Sequence, residues 1–72
     1  MEERERIRSR LRANGLPVTW LIRMLAKRDI ETTRSAMSRM FAGEWKGPRA
    51  ERIISESCDI LDRYEERIGD AL

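Results

Sequence analysis

Hydrophobic positions recur along the chain at intervals of three and four residues, the spacing that places side chains on one face of an α-helix. Segments with this spacing are separated by glycine, proline or short polar runs, and they predict helices over residues 3–13, 19–28, 33–42 and 48–68. Apolar and polar residues nowhere alternate for long enough to indicate a strand. The pattern therefore predicts an all-α fold.

Residues that commonly begin or end helices support these boundaries. Asn14-Gly15 is expected to end the first helix, and Thr19 is the expected cap of the second, although a start one or two residues earlier also fits the pattern. Pro48 suits the first position of the fourth helix, because its missing amide would be unpaired there. Gly69 is expected to end that helix.

The third predicted helix is the most informative segment. Thr33 can cap its start, and Gly43 can end it in the left-handed conformation that side chains disfavour. Met37, Met40 and Phe41 stand at i, i+3 and i+4, and so should point together into a core. The opposite face carries two long donors and two small hydroxyls, side chains that can reach base edges in the major groove of DNA: Arg34, Ser35, Ser38 and Arg39.

The connection between the second and third helices is long. A compact helix-turn-helix has a turn of about three or four residues, whereas the interval from Leu25 to Thr33 is longer. Residues 29–32 form the connector, and Ile30 is the expected buried residue among them. Either the second helix extends by an extra turn, or the turn itself is expanded.

Charge is distributed unevenly along a chain of 72 residues with a net charge of +2. Residues 1–49 contain twelve Lys and Arg against six Asp and Glu, whereas residues 50–72 contain three against seven. The basic part predicts contact with phosphate, for which we select Lys27, Arg28, Lys46 and Arg49. For Lys27 and Arg28, an interaction with the negative end of the second helix dipole is an equally good interpretation. In the first helix, interleaved glutamates make a solvated surface at least as good an interpretation as function.

Composition argues against several other classes of protein. A chain of this length forms one domain over residues 1–72, with little room for a catalytic cleft, and we expect no enzyme activity. With no histidine and one cysteine, no metal site or other cofactor is expected, and Cys58 on an apolar stripe should be an inert core residue. No apolar run approaches the roughly 20 residues of a membrane span, and the first residues do not resemble a signal peptide. We expect a soluble, cytoplasmic protein with no membrane partner and no evident small-molecule ligand.

The two tryptophans admit different interpretations. Trp20, at the start of the second helix, is more simply a packing residue or a lid on the fourth helix than a DNA contact. Trp45 lies in a polar loop, where it could anchor the loop on the core, touch the sugar-phosphate backbone or enter a dimer contact.

A helix, a turn, a threonine-capped helix and then Gly-x-x-x-Gly-Pro opening a further helix resemble the Cro/repressor family of helix-turn-helix proteins, also called XRE-type or lambda-repressor-like. The likeness covers about residues 16–61 and is most specific over residues 33–43. It implies a small four- to five-helix domain that binds a pseudo-palindromic double-stranded DNA operator as a homodimer, in a bacterial cell and often for a phage or mobile element.

The resemblance also implies roles for individual residues. Arg34, Ser35 and Arg39 match base-contacting positions, Ser38 matches more weakly, and Thr33 matches a position that often touches phosphate. Two departures stand out: the turn is about four residues longer than usual, and Phe41-Ala42-Gly43 replaces the more common Glu-Asn-Gly.

Two functions are weighed. The leading one is a sequence-specific transcriptional regulator whose two copies read half-sites about one helical turn apart. Its dimer element is the acidic fourth helix, whose apolar stripe ends in Tyr64 and Ile68, although wrapping over the first helix is an equally ordinary use of that stripe. The alternative is a protein-interaction module on the same scaffold, such as an antirepressor or a nuclease inhibitor, with an exposed Trp45 as its anchor.

Overall fold

Four α-helices form the fold in a computed structural model, which describes residues 2–71 and the side chains of residues 2–69. They are α1 (Glu3–Ala13), α2 (Val18–Ala26), α3 (Arg34–Phe41) and α4 (Pro48–Ala71), and residues 2–71 contain no strand. The all-α prediction is confirmed, and the observed bounds of α1 equal the predicted ones. Nowhere in the described part of the chain is a helix both long and apolar enough to cross a membrane.

Two predicted helix ends are wrong: α2 stops at Ala26, two residues before the predicted end at 28, and α4 continues beyond the predicted end at 68. The start of α2 agrees with the earlier alternative, because the helix begins at Val18 after an extended Pro17, and Thr19 lies in its first turn and is not its cap. Gly69 does not end α4, which continues to Ala71, and the backbone of Gly69 has no positive φ. Pro17 thus occupies the extended position immediately before α2, and the glycine within the long α4 does not interrupt it.

The predicted roles of Thr33 and Gly43 at the two ends of α3 are confirmed. Thr33 caps the helix by accepting a hydrogen bond from the Ala36 amide to its Oγ1 at 3.1 Å. Gly43 follows the helix with a φ of 79°, in the left-handed region, and its amide donates to the carbonyl of Met40. Residues 33 and 42, which the prediction included in the helix, are its two flanking positions.

The connection between α2 and α3 is an expanded turn of residues 27–33, and α2 stops at Ala26. The amide of Ile30 donates to the carbonyl of Leu25, and the amide of Asp29 donates to the carbonyl of Ala26, each at 3.0 Å. This is the pairing of a Schellman motif, in which Asp29 adopts the left-handed conformation with a φ of 61°. Ile30 is buried as predicted.

The core lies where α3 and α4 each pack against α1 and α2. Every helix contributes apolar side chains that are almost completely buried: Ile7 and Leu11 from α1, Leu21 and Leu25 from α2, Met37 and Met40 from α3, and Ile53, Ile54, Ile60 and Leu61 from α4. Burial of Met37 and Met40 determines which face of α3 remains in solvent.

Polar contacts and an aromatic contact hold α4 to its neighbours. Arg10 on α1 pairs with Asp62 at 2.7 Å and with Glu65 at 2.8 Å, so α4 does wrap over the first helix. Trp20 on α2 packs against Tyr64, which confirms its predicted place beside the fourth helix.

Candidate nucleic-acid interface

The four side chains predicted to read bases are all exposed on α3: Arg34, Ser35, Ser38 and Arg39. Among the described residues, neither Arg34 nor Arg39 forms an ion pair, and neither side chain donates a hydrogen bond. Both guanidinium groups therefore keep all their donors for an outside partner.

The four side chains have a definite order around the helix axis. At 3.6 residues per turn, Ser35 points away from the buried Met37 and Met40, and Ser38 lies beside it. Arg34 and Arg39 are five positions apart, which separates them by about 140° around the axis. The face therefore presents hydroxyl groups at its centre and one guanidinium group on each flank.

Two of the predicted phosphate ligands are exposed lysines. Lys27 occupies the residue after α2, and Lys46 lies in the loop between α3 and α4. Neither forms an ion pair within the described part of the chain. Their ammonium groups are therefore unneutralised.

Thr33 and Arg49 each form one internal hydrogen bond and keep hydrogen-bond donors for a further partner. The hydroxyl of Thr33 accepts the Ala36 amide and still has its own proton to donate. Arg49 is exposed and donates from Nη2 to the carbonyl oxygen of Glu31 at 3.1 Å, which leaves most of its five donors unused.

Arg28 differs from the other predicted phosphate ligands. Its Nη1 lies 2.6 Å from a carboxylate oxygen of Glu56 and 2.9 Å from one of Asp59. The hydrogen bond to Glu56 is the main reason that the pKa of Arg28 is raised above its ordinary value. A phosphate contact by Arg28 stays a prediction, but it would have to replace pairs that already balance this charge.

Arg8 is a cation near α3 that the sequence did not single out. The central carbon of its guanidinium lies 5.8 Å from the centroid of the Phe41 ring, within the range of a cation–π contact. Position 8 stands among several arginines and glutamates of α1, so nothing in its local pattern distinguishes it. Only the packing of α1 on α3 brings Arg8 beside the predicted reading face.

Trp45 is half-buried and packs against the core. It borders a cavity of about 520 Å³, together with residues that include Ile22, Ala26 and Ala36. This packing confirms the interpretation of Trp45 as a loop anchor. Contacts of Trp45 with DNA or with a second copy stay untested.

Cys58 is half-buried and packs against the core, as its place on the apolar stripe predicts. Burial raises the pKa of its thiol, which keeps it protonated and weakens it as a nucleophile. In residues 2–69, no group of three or more His, Cys, Asp and Glu side chains is arranged to hold a metal ion.

No protein-family model, curated protein sequence or solved structure matches the chain. Its function must accordingly be inferred from the arrangement and charge of its own side chains.

Proposed function

We propose that the chain is a sequence-specific DNA-binding transcriptional regulator of the Cro/repressor type, and that α3 reads the major groove. The observation that carries the proposal is the division of α3 into two faces. Met37 and Met40 are buried on the inner face of the helix, while Arg34 and Arg39 are exposed and form no ion pair within residues 2–69. Arginine is the residue that most often recognises guanine, through its O6 and N7.

The dimensions of α3 suit this role. An α-helix with its side chains is about 10–12 Å in diameter, and the major groove of B-form DNA is about 12 Å wide. Helices α2 and α3 pack against each other and are joined by residues 27–33. This supports a helix-turn-helix unit with an expanded turn, in which α3 is the recognition helix.

Phosphate contacts follow from the positions of the free cations. Lys46 and Arg49 lie just after α3, and Lys27 and Thr33 lie at the two ends of the turn that precedes it. Side chains at both ends of α3 would touch the backbone and fix the register of the helix in the groove. Each phosphate neutralised makes binding more sensitive to salt.

We further propose that the regulator binds DNA as a homodimer. Much of the apolar stripe of α4 is used inside the molecule, but Ile68 near its end remains 37% exposed. This end of α4 is the candidate contact between copies, which would place two α3 helices on half-sites about 34–36 Å apart. Sedimentation of the complex with a palindromic site should give two copies per duplex, and a single copy would contradict the dimer.

The alternative of a protein-interaction module depends on an exposed Trp45, and the packing of Trp45 against the core does not favour it. Selection of bound sites from random double-stranded DNA at two salt concentrations tests the leading proposal. We expect enrichment of a symmetric motif at both concentrations, with weaker binding at the higher one. Failure to retain any duplex at the lower concentration would reject the proposal.

A further inference from the structure

A cleft of about 280 Å³ lies beside the predicted reading face, between α1, the first residue of α2, and α3. Its lining consists of Arg8, Val18, Arg34, Ser38, Phe41 and Ala42. Among the described residues, two guanidinium groups and one hydroxyl group are the polar side chains of this cleft, and none of its lining residues carries a carboxylate. The cleft is therefore a concentration of hydrogen-bond donors and positive charge.

Arg8 is held in place without losing its donors. Its contact with the ring of Phe41 uses the charge of the guanidinium group and none of its five N–H donors. Arg8 forms no ion pair among the described residues, although Glu5 lies one turn earlier on α1. Phe41, which stands where the resembled family more commonly has glutamate, thus positions a cation at the edge of α3.

The start of α2 adds to the positive potential of the cleft. Val18 is the first residue of α2, and no side chain caps this end of the helix. Uncapped first-turn amides carry the positive end of the helix dipole, which attracts anions. Three separate elements of the fold therefore direct positive charge toward one cleft.

We propose that this cleft binds one phosphate group, with Arg8 and Arg34 as its cationic ligands and Ser38 as a hydroxyl donor. Forked guanidinium donors match phosphate oxygens, and two such donors beside a hydroxyl group suit a ligand with several acceptor oxygens. The assignment of this phosphate rests on the proposed function: the phosphate belongs to the DNA backbone, at the edge of the groove that α3 enters. In this arrangement Arg34 and Ser38, which lie at one edge of the reading face, bind phosphate, and Arg39 on the other flank of α3 remains to read a base.

The substitution Arg8→Ala tests the cleft, and Arg6→Ala is its matched control. Arg6 is exposed on α1 two positions earlier, about 200° around the helix from Arg8, and does not line the cleft. Affinity for the selected site is measured against salt concentration. We expect Arg8→Ala to reduce the slope of log affinity against log salt by about 0.9, to leave the ratio of specific to random binding unchanged, and to exceed any effect of Arg6→Ala. Equal changes in the two variants, or no change in Arg8→Ala, would overturn the proposal.

Phe41→Leu tests whether the ring positions Arg8. In the wild-type background, Phe41→Leu should lower the slope of log affinity against log salt, as Arg8→Ala does. In the Arg8→Ala background, Phe41→Leu should cause no further decrease of that slope. A circular dichroism spectrum checks that α3 is retained. If Phe41→Leu does not fold, Arg8→Lys is tested in its place. Lysine keeps the charge but lacks the forked donors of the guanidinium group. Affinity should therefore fall, while the slope of log affinity against log salt stays near the wild-type value.

Titration with inorganic phosphate separates this proposal from the proposed function. If the wild-type protein binds no DNA, the regulator proposal fails. NMR signals of the guanidinium Nε–H groups then show whether inorganic phosphate binds in the cleft. Saturable shifts at Arg8 and Arg34, absent at Arg6, would assign the site to a free phosphate compound. No shift at Arg8 or Arg34 in that case would reject the phosphate site as well.

Discussion

Trp20 on α2 and Tyr64 on α4 meet edge to face, with their ring centroids 5.2 Å apart and their planes inclined at 69°. The contact lies on the same side of the molecule as the pairs that Arg28 forms with Glu56 and Asp59. Aromatic packing and ion pairing therefore both hold the long α4 against α2.

The aromatic pair should contribute to stability beyond the apolar area that it buries. We expect Trp20→Leu and Tyr64→Leu to show a coupling energy of about 0.5–1.5 kcal/mol in a double-mutant cycle. Urea unfolding of the two single variants and the double variant measures it. Trp45 borders a different cavity from Tyr64, so Trp45→Leu with Tyr64→Leu serves as an additive control. Additive effects in the Trp20 cycle would contradict the prediction.

Arg39→Ala should reduce discrimination between the selected site and random DNA. Loss of a forked contact to guanine is expected to cost about 1–3 kcal/mol on the selected site and much less on random sequence. Competition binding at fixed salt measures the ratio. Arg6→Ala, which removes an exposed cation from α1, is the control for net charge and should leave the ratio unchanged. If Arg39→Ala weakened both kinds of DNA equally, its role in reading bases would be withdrawn.

Lys46→Ala should change the salt dependence and leave sequence preference alone. Removing one phosphate contact is expected to lower the slope of log affinity against log salt by about 0.9, on selected and random DNA alike. Binding isotherms at several salt concentrations give the slope. Lys46→Arg keeps the charge and should retain the wild-type value, and a wild-type slope in Lys46→Ala would disprove the contact.

Acid should weaken the attachment of α4 to α1. A hydrogen bond from Arg10, and a smaller contribution from Asn14, hold the pKa of Glu65 below its ordinary value of 4.5. Because this pKa is lower in the folded state than in the unfolded state, the stabilisation is fully present above 4.5 and is lost as the pH falls through the folded-state pKa.

Urea unfolding from about pH 6 to about pH 3 measures this effect. At about pH 6, Glu65→Gln should have a lower free energy of unfolding than the wild type. This difference in free energy should shrink as the pH falls toward about 3. Glu66→Gln removes an exposed carboxylate that forms no ion pair in residues 2–69, and it should follow the wild type throughout. A Glu65→Gln difference that did not vary with pH would refute the prediction.

The left-handed conformation of Asp29 makes this position sensitive to substitution. Alanine lacks the short polar side chain that eases this conformation, so Asp29→Ala should lower the free energy of unfolding by about 1 kcal/mol. Asp29→Gly should be at least as stable as the wild type, because glycine adopts a positive φ without steric cost. Thermal or urea unfolding compares the two variants, and equal stabilities would show that backbone conformation is not limiting here.

Local patterns were sufficient to predict where the helices lie and which face of α3 is exposed. Met37 and Met40 are buried because their spacing matches the helical period, and Thr33 caps α3 because its hydroxyl group can reach the Ala36 amide. These features depend on residues within one or two helical turns of each other. They could therefore be predicted from the sequence, and the structure confirms them.

Features that depend on distant parts of the chain were not predictable. Arg8 and Phe41 are 33 positions apart, and Arg28 is 28 positions from Glu56, so no local spacing reveals either contact. The end of α2 was placed too late because the left-handed residue after it is Asp29, in a position more often occupied by glycine.

Carboxylates of α4 neutralise Arg10 and Arg28, and this pairing affects how the molecule approaches a charged partner in solution. They balance these two arginines internally, whereas in residues 2–69 the cations of α3 and of the loop that follows it form no ion pair. We therefore expect the field of a polyanion to favour approaches in which α3 faces it. Orientation during diffusion, and hence the frequency of productive collisions, should fall as ionic strength rises.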